Sequence, residues 1–441
     1  MNTKKFLAVL LALVMVLALF AGCGKTETPD PTKAPEQTNT PADTQPEETK
    51  TPDEQPTDTP KETKKIKVGH LIDLTGVESS VGLQSQKAFN FALSQLTFDG
   101  FEIEVIDGDC QSSAATAAEV AQKMVEQDGV VAIFGPTQIG HKSSVGAYLA
   151  GADTAVPLIV YNGTPVGIMK KSQWIVGEGG GTAQLPTVMA DYVWNTLKYT
   201  KVYTIRQDTT GGDNYVGAFE DNFKALGGEI VDSYRLTVDG SDYAAQLATM
   251  DPEKADAICG WTSSSDAINF WKAWYELGFA GKLPVCATMH GGFTDFFVMK
   301  ALNAANPDIV KAIIEQPTYS VISYCMEVEN EANEALVEAW KTEFNEVPPG
   351  NNLAGACYQA LMVLQQALEI SGGETEPEAL LEAIWKVDFS GPEGHVKFEN
   401  GSQAATKDVN VVKVNQLEDG SFNYSIVDIY EDVPGGGLTV G

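Results

Sequence analysis

The chain has 441 residues, 60 acidic against 29 basic, for a formal charge of −31 at neutral pH, and 43% of it is hydrophobic. That length and apolar share suffice for two buried cores, and the acidic excess excludes nucleic acid and anionic membrane faces as partners. The six cysteines form no CxxC pair and no cysteine and histidine grouping at zinc spacing, so no metal or other cofactor is expected.

Residues 1–22 read as a lipoprotein signal peptide. Lys4 and Lys5 precede an apolar run from Phe6 to Ala21 that ends in Phe20-Ala21-Gly22-Cys23. The run is short for a membrane span, which takes ~20 apolar residues, and fits a cleavable segment. A cysteine at the cleavage point is the acylation site of lipoproteins. The mature chain is therefore expected to begin at Cys23, extracytoplasmic and anchored to the cell membrane by lipid. Residues 24–64 lack aromatic residues and are dominated by Thr, Pro, Glu, Asp and Lys, the composition of a disordered spacer.

From residue 65 the chain alternates strand and helix patterns. IKVGHLI (66–72) is followed by a turn-rich loop and the amphipathic helix QSQKAFNFALSQL; FEIEVIDGD leads to SSAATAAEVAQKMVEQ; VVAIFG runs through PTQIGHKSS to VGAYLAGADT and the strand VPLIVY. The rhythm restarts with helix LPTVMADYVWNTL, strand KVYTIR, helix VGAFEDNFKALG and strand GEIVDSYRL. It repeats with DYAAQLATM, DAICGW, DAINFWKAWYELG and LPVCA. A strand at Tyr319–Ser323, helices around EANEALVEAWKTEF, GACYQALMVLQQAL and PEALLEAIWKV, and the strand patterns HVKF, VNVVKV and FNYSIVDIY complete the chain. Strands alternating with helices through short loops imply α/β architecture with parallel sheets. The expectation is two doubly wound lobes, 65–182 with 321–388 and 183–320 with 389–441, joined by a multi-strand hinge with a ligand cleft between them.

Local patterns in this order resemble the branched-chain amino-acid (leucine/isoleucine/valine) branch of the type I periplasmic binding proteins. They are Leu74-Thr75-Gly76 with Val81-Gly82, Gly135-Pro136, Val156-Pro157-Leu158-Ile159, Asn162-Gly163-Thr164-Pro165, Asp213-Asn214-Tyr215, Phe219 and Gly227-Gly228. The resemblance implies a monomeric lipoprotein that captures a branched-chain or other small hydrophobic amino acid by lobe closure and delivers it to an ABC permease. The alternative is the same fold binding an aromatic acid, a short amide or urea, or acting as a ligand sensor. By the same resemblance, Ser80 and Val81 of the first loop, Gln138, Ile139 and Gly140, and Asn162, Gly163 and Thr164 face the ligand, the last two groups holding its carboxylate. Glycines there permit close backbone approach, and amides near a helix N-terminus favour an anion. Tyr215 and Trp261 supply aromatic walls. Where the family carries an acidic anchor for the ammonium, this chain has His290, which cannot replace a carboxylate. Either Glu178 or Asp213 supplies that charge from another loop, or the ligand has no amino group there.

Catalysis is not expected. No GxSxG, HExxH or P-loop occurs, and His70, His141, His290 and His395 are scattered. Cys110, Cys259, Cys286, Cys325 and Cys357 are expected as buried free thiols, with one disulfide left open.

Overall fold

In the computed structural model, which describes residues 63–439 apart from 165, 239, 241, 290–291, 350–351 and 400–401, five parallel strands build the first sheet. The signal segment, Cys23 and the spacer up to residue 62 lie outside the described residues. The strands run in the order β2 (Phe101–Asp109), β1 (Lys64–Ile72), β3 (Ala132–Phe134), β4 (Leu158–Val160) and β5 (Ile175–Gly177). Helices Ser79–Gln95, Ala114–Lys123 and Ile139–Gly151 connect them. Their apolar faces, with those of helices Glu331–Phe344, Leu353–Ile370 and Pro377–Ile384, close one core around Val68, Phe89, Phe134, Ile159 and Leu364.

The second sheet has nine strands. Its order is β11 (Asp388–Gly391), β12 (Gly394–Lys397), β13 (Thr406–Gln416), β10 (Tyr319–Ile322), β9 (Val285–Ala287), β8 (Ala257–Trp261), β6 (Lys201–Gln207) and β7 (Glu229–Leu236), with β14 (Phe422–Val433) paired to β13. Strands β6 to β10 pair in parallel; β10 to β14 pair antiparallel through β13. The sheet is therefore mixed rather than wholly parallel, because its last strands follow one another through turns without a crossover helix. Both its faces are covered. In β8, Ala257 and Cys259 enter one core and Ile258 the other, as strand alternation requires. In β13, Val409 and Val411 likewise face one core and Val412 and Val414 the other.

The chain thus has the expected two-lobed α/β architecture. Helices Phe296–Ala305 and Pro307–Glu315 had no counterpart in the sequence reading. Asp295 caps the first by accepting from the Phe297 amide at 2.8 Å, and Pro307 opens the second, which buries Ile309, Val310 and Ile313. All five cysteines of the body are free and buried. No helix among the described residues is long and apolar enough to cross a membrane.

The two sheets are tied together by segment 177–184 and the chain leading into β13. Gly177 exchanges backbone hydrogen bonds with Gln403 and Ala405, at 2.7 and 2.8 Å, and Gln184 donates to the carbonyls of Ala405 and Val433, both at 2.9 Å. Beside them lies a fully buried charge triad. Lys407 of β13 donates to Glu178 Oε1 at 3.0 Å and to Glu393 Oε2, while Glu178 Oε2 and Glu393 Oε1 have no partner. One ammonium faces two carboxyls, so burial favours keeping a proton on one of them; Glu178 is pushed up to about 8.

Two outcomes follow for stability. Lys407→Met strands two carboxyls in the interior and is expected to cost about 3–5 kcal/mol in denaturant titration. The folded Glu178 carboxyl keeps its proton to about pH 8 and the unfolded one releases it near its ordinary 4.5. The native state therefore binds more protons across that window, and stability declines as pH rises from about 5 to about 8. Glu178→Gln flattens that decline in thermal melts; an unchanged slope removes Glu178 as its source.

Candidate functional site

Loops at the carboxyl ends of both sheets leave backbone and side-chain polar groups unpaired, and the expected site residues gather there. Helix Ser79–Gln95 begins earlier than the sequence pattern indicates, so Ser80 and Val81 sit on its first turn rather than in a loop. Ser80 is exposed and Val81 packs against the first core.

The next helix also starts early. Ile139 and Gly140 form its first turn together with His141, and Gln138 stands at its N-terminal boundary, donating from Nε2 to Glu78 Oε2 at 3.0 Å. The first bond within this helix runs from the Lys142 amide to the Gln138 carbonyl, 3.1 Å. The three amides before it have no partner in the helix, which makes this turn a receptor for negative charge.

Lys142 is the residue the sequence reading missed. It is completely buried, and its ammonium donates to the carbonyls of Thr137 at 2.8 Å, Asn162 at 2.5 Å and Gly163 at 3.3 Å, and to Asn162 Oδ1 at 3.2 Å. Among the described residues no carboxylate lies within ion-pair distance of it. Burial alone pushes it down to about 7. By gripping the Asn162 carbonyl, it turns the Gly163 N–H of the same planar peptide to the opposite side. The signal was present in the spacing: Lys142 lies on the same helical face as the buried Ile139, Val145 and Leu149.

Gly163 is buried at φ +52, a conformation that favours glycine. Thr164, expected at the ligand, lies against the crossover. It is wholly buried, and its Oγ1 donates to the Gly179 carbonyl while its amide bonds the Gly180 carbonyl at 3.2 Å. It fastens this loop to the crossover, which approaches so closely that a Cβ on Gly179 would fall 2.2 Å from the Tyr161 carbonyl carbon.

The facing wall comes from the second sheet. Thr209 caps helix Thr210–Leu226 by accepting from the Gly212 amide at 3.1 Å, and Tyr215 lies buried on that helix. Trp261 ends β8 with its ring 5.7 Å from that of Tyr215, tilted by 43°. A methyl group on Gly163 would come within 2.7 Å of Tyr215 Oη and 3.4 Å of Lys142 Nζ, so the two walls meet at these three residues. Trp261 Nε1, Thr137 Oγ1 and Thr288 Oγ1 are buried without hydrogen-bond partners, and all three follow or end strands of the two sheets. Buried polar groups are ordinarily paired.

Both acidic alternatives are already engaged. Glu178 is bound by Lys407, and Asp213 is exposed, 2.5 Å from Arg235 and 3.7 Å from Arg206. His290 lies outside the described residues. Trp271 and Trp274 donate to the carbonyls of Phe293 and Leu283 inside the second core, away from the cleft.

Known proteins share this architecture. A family model described as "Periplasmic binding protein" matches residues 65–421. A Leu/Ile/Val-binding protein homolog of Brucella suis is 21% identical over 331 residues, 75% of this chain and 82% of the relative. Among solved structures, an ABC transporter substrate-binding protein from Sphaerobacter thermophilus is 27% identical, covering 84% of this chain and 98% of its own, with a TM-score of 0.75. A solute-binding protein of an ABC transporter from Rhodopseudomonas palustris, in complex with 3,4-dihydroxybenzoic acid, is 23% identical, with coverages of 84% and 98% and a TM-score of 0.71.

Gly163→Ala is expected to hold the lobes apart, because the added methyl meets Tyr215 Oη and strains a positive φ. Small-angle scattering should show a larger radius of gyration for the variant, and Tyr215→Phe in the same chain should restore part of the difference. Identical radii for wild type and Gly163→Ala would remove this contact from closure.

Proposed function

From the premise that this chain belongs to the periplasmic binding protein family, the extracytoplasmic solute-binding components of ABC importers and not enzymes, we propose that it captures a small apolar carboxylic acid, with aromatic acids preferred. The observation that carries this reading is Lys142, a buried ammonium at the meeting of the lobes with no carboxylate bonded to it. A carboxylate seated on the Gly163 N–H and the amides of Ile139 and Gly140 supplies the missing negative charge. Lys142 acts on it through space, its own donors being held by carbonyls. At ~5–6 Å and an effective dielectric of ~20 the attraction is about 3 kcal/mol, roughly a hundredfold in affinity. Tyr215 and Trp261 flank an apolar ring, and the unpaired Trp261 N–H and the Thr137 and Thr288 hydroxyls offer hydrogen bonds to ring substituents.

An α-amino acid requires an acceptor for its ammonium, and Glu178 is buried against Lys407 with its carboxyl pushed up to about 8, while Asp213 is paired with Arg235. The name of the Brucella relative favours a second reading, a branched-chain amino acid, whose ammonium would depend on the segment around His290. In either case Thr164 serves as a positioning residue, and Ser80 and Val81 border the site. We further assign lipidation to Cys23, with residues 24–64 as the tether that keeps the receptor within reach of its permease.

The discriminating experiment is calorimetric titration with benzoate, hydroxybenzoates, leucine, isoleucine and valine. Aromatic acids should bind and the amino acids should bind at least tenfold more weakly; the opposite order overturns the preference. Lys142→Met should weaken benzoate by about a hundredfold relative to its effect on benzamide, the neutral analogue that shares any disturbance of the loops. Because Lys142 is held near 7 when unpaired and an anion raises it, binding above pH 7 takes up a proton and affinity falls as pH rises. Titrations in buffers of different ionisation enthalpy should detect that uptake in wild type and not in Lys142→Met.

A further inference from the structure

Beside the ligand loops, three segments of the first lobe bring a carboxylate, a thiol and an imidazole together in the interior. Asp73 follows β1, Cys110 follows β2, and His141 lies in the first turn of helix Ile139–Gly151. One ligand atom from each lies within 4.8 Å of the others, and all three residues are buried, Asp73 and Cys110 completely. Asp73 Oδ2 and His141 Nδ1 are 3.5 Å apart, and neither has a hydrogen-bond partner. The other Asp73 oxygen is fixed by the Ser112 amide at 2.8 Å, and the imidazole shares a hydrogen bond with the Ser112 backbone. Cys110 Sγ has only a 4.0 Å contact with the Gly108 carbonyl. Gln111 and Ser112, which carry the chain away from Cys110, both hold positive φ without being glycine, at 54° and 53°.

We propose that Asp73, Cys110 and His141 form a binding site for a borderline-soft divalent cation of the zinc type. Metal bonds of about 2.0–2.1 Å to oxygen and nitrogen at a tetrahedral angle set those atoms ~3.4 Å apart, which the Asp73 to His141 separation matches. A thiolate and an imidazole reject magnesium and calcium, which take oxygen donors. The charges balance: a dication bound by one carboxylate, one thiolate and one neutral imidazole is a neutral unit, with the thiol proton released on binding. Burial currently disfavours every charged form in this cluster, raising the Asp73 carboxyl and the Cys110 thiol and lowering the His141 imidazole. Three protein donors leave the fourth position for water or an exogenous ligand. The site stands independently of the carboxylate reading, since it shares none of the residues proposed to hold the solute.

Purified protein titrated with Co²⁺ alone reports on the thiolate directly through a sulfur-to-cobalt charge-transfer band in the near ultraviolet. The expected result is a saturable band at one Co²⁺ per chain, displaced by Zn²⁺, absent in Cys110→Ser and weakened at least tenfold in affinity in His141→Gln. Cys325→Ser, a buried thiol elsewhere in the chain, should leave it unchanged. Half-buried His395, bonded to Asp388 and Asp432, can take up metal adventitiously but offers no sulfur. Metal binding with no thiolate band, or a band that survives Cys110→Ser, overturns the proposal. Should Cys110→Ser fail to fold, the same titration of wild type at rising pH decides: thiolate binding must strengthen as pH rises.

Discussion

The two lobes share one buried ammonium. Lys407 enters from the second sheet and is met by Glu178, from the end of the first sheet, and by Glu393, from the β11–β12 turn. All three side chains are withdrawn from water, and the charged ends face one another. Such a group contributes less to net stability than its contacts suggest, because desolvation consumes most of the attraction. Its consequence is placement: the segment from Gly177 to Gln184 is fixed where it meets β13, and the loops built on that segment inherit their positions.

Thr164 is the next link in that sequence. Its hydroxyl and amide are spent on Gly179 and Gly180, so the loop Tyr161–Thr164 lies on the crossover backbone. Lys142 then holds the outer side of the same loop through the carbonyls of Asn162 and Gly163. The two buried lysines have opposite surroundings. Lys407 has two carboxyl groups, which raise it against its own desolvation, whereas Lys142 has only carbonyl oxygens and is lowered.

The alternation of strands and helices was legible because it is a local, periodic property, and it implied the α/β architecture. Tyr215 and Trp261 were placed by the family resemblance and not by any period of the sequence; the fold sets them in a helix and at the end of β8, with their rings 5.7 Å apart. Three things were not legible. Helix starts at Ser79 and Ile139 lack strong capping side chains, since neither Glu78 nor Gln138 makes a side-chain cap, so residues read as loop belong to first turns. Thr164 was read as facing a ligand because an exposed-loop threonine and a stapling threonine have the same sequence. Lys142 was passed over because lysine is almost never fully buried, although its helical spacing placed it on the apolar face.

By itself the sequence determined the α/β class, the alternation of most of its strands and helices, the acidic character and the absence of a catalytic motif, all of which follow from composition and from periods of two and 3.6 residues. Tertiary structure alone decided which polar groups end without partners. Thr137, Trp261, Asp73 and His141, which each leave a buried polar atom unpaired, are separated by as many as 188 positions along the chain, and a group's partner depends on what the fold brings within about 3 Å of it. Hydrogen-bond satisfaction is a sum over neighbours distant in sequence. The chemistry of the cleft resides in that sum, and no local pattern encodes it.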